Sequence, residues 1–454
     1  MGGGLPKVVL LGAIPVLGLV TGMPFVFVEF LDLNEEYQVA LAHLTFDEQI
    51  TIAVAGMVLL AWSVAALWFV RNKLSFWPAI YLLGAMIVPD LTIAPRLYKG
   101  DEWDLIELNT VMVGCFVMLV WLSGLVEGTV VRRLGDSSPT PPAPDRSILD
   151  FSLIPLIAVG LVVVVGAVGL NVDLQRGLED VYSAREYLRD FQLGFVGYVS
   201  NWLIVVAPSA IYGILSGSPL QLIAAAACSL GLETVMLMAT SARAGLWLAL
   251  LPLFYFLLRK FDFQTRVVLY LAGLLAVTVG LPFLGAVTGD FESVLLTVPR
   301  RAFYVPGILH GLAFDIFSTL PPLEFVDLIS RFTGEVVQFR YTFLLGLSVG
   351  IGEGANANVS FMADAYVNAR YLGMILVSGV VGITIGVMAG LAGASRSTTG
   401  VLFLIALAQQ YAETAFQQVY LTSGLVVVAG LLVIRLITTR RSQPVGRWSA
   451  QPLQ

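Results

Sequence analysis

A chain of 454 residues that is 57% hydrophobic and only 12% charged has longer apolar runs than a water-soluble core can use, which excludes an ordinary cytosolic globule. Its formal net charge of −6 offers nucleic acid no partner. Two cysteines and two histidines exclude a disulfide framework and a Cys/His metal centre.

A bilayer span needs about 20 predominantly apolar residues, and about twelve such runs occur. They are Val8 to Phe27, Ile50 to Val70, Leu74 to Ala94, Leu105 to Val131, Phe151 to Leu170, Phe191 to Leu215, Leu220 to Ala239, Ala244 to Leu258, Val267 to Val287, Val367 to Leu391, Thr399 to Ala412 and Val419 to Ile437. The predicted fold is therefore all-α and polytopic. The first run is too long for a signal-peptide core and has no clear small-x-small cleavage site, so it is expected to be a retained span. Cys115 and Cys228 both fall inside predicted spans.

The predicted divisions are an N-terminal set of four spans over 1–134, a proline-rich cytoplasmic linker over 135–149, and spans five to nine over 150–289. A large outer loop follows over 290–366, then spans ten to twelve over 367–438 and a tail over 439–454. Short cytoplasmic connections retain Lys and Arg. With both termini cytoplasmic, Arg71, Lys73, Arg132, Arg133, Arg259, Lys260, Arg396, Arg440 and Arg441 all fall on the inner side. Of the 25 basic residues, 14 lie inside and 11 outside, and ten of those eleven are arginine, whose planar fork fits phosphate oxygens. An anionic, lipid-linked substrate is the expectation.

The third outer loop, 171–190, and the fifth, 288–366, are long and hold most of these arginines. Arg185 and Arg189 stand one helical turn apart and repel unless an anion sits between them or Glu186 and Asp190 neutralise them. Arg300 and Arg301 lie just past the ninth span, ahead of a helix expected to start near Pro306 and to direct its positive end at the same anion. Phe303, Phe314 and Phe317 suit an interfacial helix or a plain core. His310 is a candidate base or a structural histidine; Asp315, Glu335, Glu353 and Asp364 compete for the base role. Asn356, Asn358 and Asp364 are candidates for bonds to sugar hydroxyls, and Tyr341 to Ile351 is too short to span. Glu233, inside the seventh span, is read either as the partner of Arg243 or as leaving Arg243 to the anion site. His43 is expected to be structural. Neither a metal nor a cofactor is expected.

Four stretches resemble Wzy-type O-antigen polymerases and related oligosaccharide repeat-unit polymerases of bacterial inner membranes. They are Tyr182-Ser-Ala-Arg185, Ser241-Ala-Arg243-Ala-Gly245, Arg300-Arg301-Ala-Phe-Tyr-Val-Pro306 and Asp364-Ala-Tyr-Val-Asn368 running to Gly373. The enlarged third and fifth outer loops add to the likeness, which covers about 150 to 393. The family's Arg, ten residues, Gly pattern is matched by Arg300 and Gly311. The third loop departs from it, with Tyr187, Val196 and Ser200 standing eleven positions after Arg176, Arg185 and Arg189.

The resemblance implies a GT-C-like glycosyltransferase that moves a glycan from undecaprenyl pyrophosphate to a sugar hydroxyl of another lipid-linked unit. It would act at the periplasmic face of the inner membrane, among membrane lipids and with a chain-length regulator as a further partner. The arginines Arg300 and Arg301, with Arg185, Arg189, Arg243 and Tyr182, would compensate and bind the pyrophosphate, and His310 would serve as base or acceptor positioner. An O-antigen ligase, a peptidoglycan-polymerising transferase and a flippase for the same lipids are the alternatives. A flippase should show intramembrane charges, broken helices and a repeat. No repeat is visible in the sequence.

Overall fold

The computed structural model describes residues 5–33, 44–134, 148–168, 194–240, 244–289, 303–326, 341–348, 359–414, 419–420 and 422–441. Among them all regular structure is helical: α1 (Leu5–Leu33), α2 (Phe46–Ala66), α3 (Phe76–Arg96), α4 (Glu102–Leu134), α5 (Ile148–Val168), α6 (Gly194–Ile214), α7 (Pro219–Thr240), α8 (Ala244–Leu258), α9 (Phe263–Thr288), α10 (Val305–Thr319), α11 (Tyr341–Ser348), α12 (Phe361–Ala394), α13 (Thr398–Glu413) and α14 (Leu425–Arg441). Eight helices are long and apolar enough to cross a membrane. Their outer faces expose large apolar side chains, among them Phe25, Val58, Leu220, Phe283 and Leu372, which a bilayer solvates and water does not. The chain is a polytopic helical membrane protein. Leu153–Ala167, Gly245–Leu258 and Leu425–Thr438 are shorter apolar helices.

The compact units are not continuous stretches of sequence. One comprises Met1–Gly124, Leu257–Thr384 and Ala408–Val419; the other comprises Leu125–Phe256, Ile385–Leu407 and Tyr420–Gln454. In the first unit α3 is the central helix, with 94% of its apolar window buried against 28% for α9. A helix that is apolar on every side belongs in such a position.

Prolines explain where these helices depart from regularity. Proline lacks an N–H and its ring crowds the carbonyl four residues back, a conflict that a wider π turn relieves. The π turn Leu83–Ile87 precedes Pro89, and the π turn Ala276–Gly280 precedes Pro282. The carbonyl four residues before Pro282 is that of Thr278, and the Tyr304 hydroxyl donates to it at 2.7 Å. Tyr304 also stacks on Phe27 and Phe30 of α1 at 6.2 and 5.4 Å, so one side chain joins α1 and α9 to the start of α10.

Small residues set the close helix pairs. A Cβ at Gly18 would meet Leu275 at 2.8 Å and one at Gly22 would meet Val279 at 2.9 Å, so a Gly-x-x-x-Gly face of α1 lies against α9. In the second unit, Tyr212, Ala225, Phe256 and Leu402 form a buried cluster, with Tyr212 and Phe256 stacked at 6.2 Å. The turn after α12 places Arg396 at φ 52°, with the Ser397 N–H bonded to the Ala392 carbonyl; Ser397 Oγ then caps α13 by accepting from the Gly400 N–H.

Helix starts follow their caps more closely than the hydropathy. Thr45 and Glu48 form a capping box, so α2 begins four residues before the predicted Ile50. Asp262 caps α9 by accepting from the Thr265 N–H. The Thr265 side chain first, and then this N–H, hold the Asp262 carboxyl below its ordinary range. A lowered folded value means that the cap contributes fully above the ordinary carboxylate range and is lost as pH falls through the lowered value. Asp262→Ala is expected to cost about 1 kcal/mol. The loss should be seen in thermal unfolding at neutral pH and should vanish in strong acid; an equal loss at both pH values would rule out the cap.

Candidate functional site

The buried polar groups of the first unit gather around α10. Gly307 and Gly311 lie one turn apart on the face of α10 that meets the end of α3. A Cβ at Gly307 would meet the Ile93 side chain at 2.8 Å, and one at Gly311 would meet the Ala94 backbone at 3.0 Å. The glycine of the Arg300 to Gly311 spacing thus has a packing reason. Gly311→Ala forces backbone apart and is expected to cost about 1–3 kcal/mol. A melting temperature equal to that of the unaltered protein would refute this contact.

With the two helices this close, His310 reaches Asp90 in α3. His310 Nδ1 lies 2.5 Å from Asp90 Oδ1, and both side chains are sealed from solvent. The Ser360 N–H donates to His310 Nε2 at 2.9 Å. An acceptor at Nε2 leaves the ring proton on Nδ1, where it is donated to Asp90. Ser360 Oγ in turn caps α12 by accepting from the Ala363 N–H at 3.3 Å. One imidazole therefore ties the end of α3, the middle of α10 and the start of α12 together.

A second network adjoins it along the chain. The Tyr341 hydroxyl of α11 donates to Asp364 Oδ1 at 2.5 Å, and Asn368 Nδ2 donates to the Asp364 carbonyl at 2.8 Å. Beyond Asn368, α12 breaks at Ala369 and Arg370, the latter with φ 55° and ψ −145°. Helix carbonyls before the break lose their own donors. The chain that leaves α10 replaces them, with Leu323 N–H bonded to the Val367 carbonyl, Glu324 N–H to the Asn368 carbonyl and Phe325 N–H to Asn368 Oδ1. Glu324 and Phe325 take positive φ to do so. Such strain persists only where surrounding bonds hold it.

Of the ten outer arginines, Arg96 and Arg370 fall among the described residues. The Arg370 guanidinium lies 5.0 Å from the Tyr366 ring and donates to the Leu320 carbonyl. Tyr366 packs on Phe314 and Tyr371, at 5.2 and 5.9 Å. Nearby, Asp315 Oδ1 accepts from the Lys99 N–H at 2.8 Å. Tyr98, outside the spans, has its phenol raised by burial, then by Tyr366, Asp104 and Asp315, and so keeps its proton.

Of the sequence-predicted site residues, the structure describes His310 and Asp364, together with Asp315 of the competing bases and Glu233. Tyr182, Arg185, Arg189, Arg243, Arg300, Arg301, Asn356 and Asn358 lie outside the described residues, as do His43, Glu335 and Glu353. His310 lies within 3 Å of two partners that occupy both ring nitrogens, so in this geometry it positions helices and has no free lone pair for a hydroxyl proton. Asp364 belongs to the first turn of α12, which begins six residues before the predicted Val367. There it holds α11 and α12. The interfacial placement of Phe303, Phe314 and Phe317 is corrected: all three are buried, and α10 is a core helix.

Asp90, Ser360 and Tyr341 were given no role from the sequence, and Asn368 entered only as part of the stretch from Asp364 to Gly373. Asp90 carried a readable signal, one acid within an apolar run, and such residues face a partner or a cavity. The others depend on contacts from far along the chain and carried none. Among the described residues no group of three or more His, Cys, Asp or Glu side chains could hold a metal ion. No protein-family model, curated protein or solved structure matches the chain.

Proposed function

We propose that the protein is a polymerase of lipid-linked oligosaccharide repeat units in the bacterial inner membrane, with both termini cytoplasmic and its site at the periplasmic face. The donor is a glycan on undecaprenyl pyrophosphate and the acceptor a sugar hydroxyl of a second lipid-linked unit. The observation that carries the reading is the arginine on the outer side, ten of eleven outer basic residues, with seven of the ten in the two long outer loops. The shorter helices α5, α8, α13 and α14 would complete about twelve spans with the eight long ones, in a GT-C-like arrangement.

In this reading Arg300 and Arg301, with Arg185, Arg189 and Arg243, compensate the charge of the departing pyrophosphate, and Tyr182 is a further substrate contact. Arg300 and Arg301 stand just ahead of Phe303 and Tyr304, whose burial anchors the chain where it enters α10. Asn356 and Asn358 are the sugar contacts. His310 serves as the positioner that keeps α10 against α3 and α12, and the acceptor's proton leaves to another base or to water. A chain-length regulator is the expected protein partner.

A second reading has its own support. A flippase for the same lipids calls for buried intramembrane charges and discontinuous helices, and Asp90, Glu233, Asp364, the two π turns and the break at Arg370 are of that kind. Reconstitution of the purified protein with a defined undecaprenyl-pyrophosphate repeat unit, without nucleotide sugar, separates the readings. A ladder of longer glycans supports the polymerase. Lipid movement across the vesicle without a ladder supports the flippase, and transfer only to an added lipid A core supports a ligase.

A further inference from the structure

We propose that Glu233, with Ser229 one helical turn before it, forms a binding site for an exchangeable monovalent cation, a proton or a sodium ion, inside the second unit. Glu233 lies on α7 with no exposure, and among the described residues neither of its carboxylate oxygens has a hydrogen-bond partner. Ser229, four residues earlier on the same helical face, is equally buried and its hydroxyl is also unpartnered. The carboxylate rests on Gly245 in the first turn of α8, where any Cβ would overlap its Oε2. Glycine there leaves room for the carboxylate and whatever it binds.

A bare carboxylate does not persist in a dry interior; it is paired, protonated or bound to a cation. The helices around it supply no pairing charge. Neither α6 nor α8 carries a charged side chain, and the one charge on α5 is Asp150, another acid. The remaining titratable groups on these helices and on α7 are Tyr198, Tyr212, Tyr255 and Cys228. Among the described residues no donor reaches either carboxylate oxygen of Glu233. Arg243 lies outside the described residues. Three buried oxygens without donors are a ligand set for a hard cation, and oxygen is what such ions select. Occupancy by a proton or sodium ion would link this membrane protein to an ion gradient.

The test uses the full-length protein in liposomes and dicyclohexylcarbodiimide, which adds to protonated carboxyls in apolar surroundings, with the site read by peptide mass spectrometry. Modification of Glu233 is expected, and its disappearance in Glu233→Gln confirms the position. Labelling suppressed severalfold by sodium chloride and not by choline chloride identifies sodium as an occupant. Labelling indifferent to sodium and falling roughly tenfold per pH unit above its midpoint identifies a proton alone. Either result supports the site. Absence of labelling from about pH 5 to about pH 9, whether or not Arg243→Gln then exposes the carboxyl, overturns it; appearance in that variant would show Arg243 to be the partner.

Discussion

Replacing Asp90 by alanine is expected to destabilise the first unit by about 3–5 kcal/mol, the usual cost of removing one partner of a buried pair. The His310 Nδ1–H would be left with no acceptor in a place that water does not reach, since both side chains are sealed. The Ser360 bond on the opposite ring nitrogen would be strained as the Nδ1–H seeks another acceptor, which would loosen the cap of α12. Thermal unfolding in detergent, followed by tryptophan fluorescence, reads the effect as a fall in melting temperature. Asp90→Asn keeps an oxygen acceptor and should recover much of it. The doubly altered Asp90→Ala, His310→Ala protein should lose less than the sum of the two single losses, because both remove the same bond. Additive losses would mean that the two side chains act independently and the contact carries little.

The same variants separate two roles for His310. If the imidazole is a base whose tautomer its carboxylate sets, changing the carboxylate to an amide costs on the order of 10⁴-fold in rate. If it is a positioner, Asp90→Asn should keep glycan ladder formation within about tenfold of the unaltered protein once matched for folded amount, because the helix contacts survive. The geometry, with the Ser360 N–H already on Nε2, favours the second outcome.

What was legible in the chain followed from averages, and what was not followed from partners. Hydropathy located the long spans because a run of twenty apolar residues needs no information from elsewhere. It placed the start of α12 at Val367 because Asp364 counts against burial when read alone. With Tyr341 as its partner the same residue lies inside the helix. His310 read as a base because a residue type announces its chemistry and not what occupies its nitrogens. Asp90 vanished into the favourable mean of its own run. Gly18 with Gly22, and Gly307 with Gly311, were readable as close-packing pairs from spacing alone, whereas their opposite faces on α9 and α3 were not. The π turns belong to the same middle ground: each proline was visible, but the bond by which Tyr304 relieves one of them was not.

The largest effect on activity is expected from the doubly altered Arg300→Ala, Arg301→Ala protein. Each charge-assisted hydrogen bond to a phosphate oxygen contributes about 1.5–3 kcal/mol. If both arginines meet the pyrophosphate as it departs, removing them lowers the rate of glycan transfer by about 10²–10⁴-fold. Because negative charge grows on the leaving group, the loss should fall mainly on turnover, with a smaller change in apparent affinity for the lipid. Folding is a separate matter, since the neighbouring anchors Phe303 and Tyr304 are untouched, and the melting temperature should stay within a few degrees. Lysine at both positions restores the charge without the planar fork and should recover part of the rate. Unchanged ladder formation by the alanine protein would remove the outer arginine pair from the reaction. Equal loss of lipid binding and of melting temperature would make the pair structural, and the anion site would then have to be sought around Arg185, Arg189 and Arg243 or at Arg370, where the guanidinium already stands beside Tyr366.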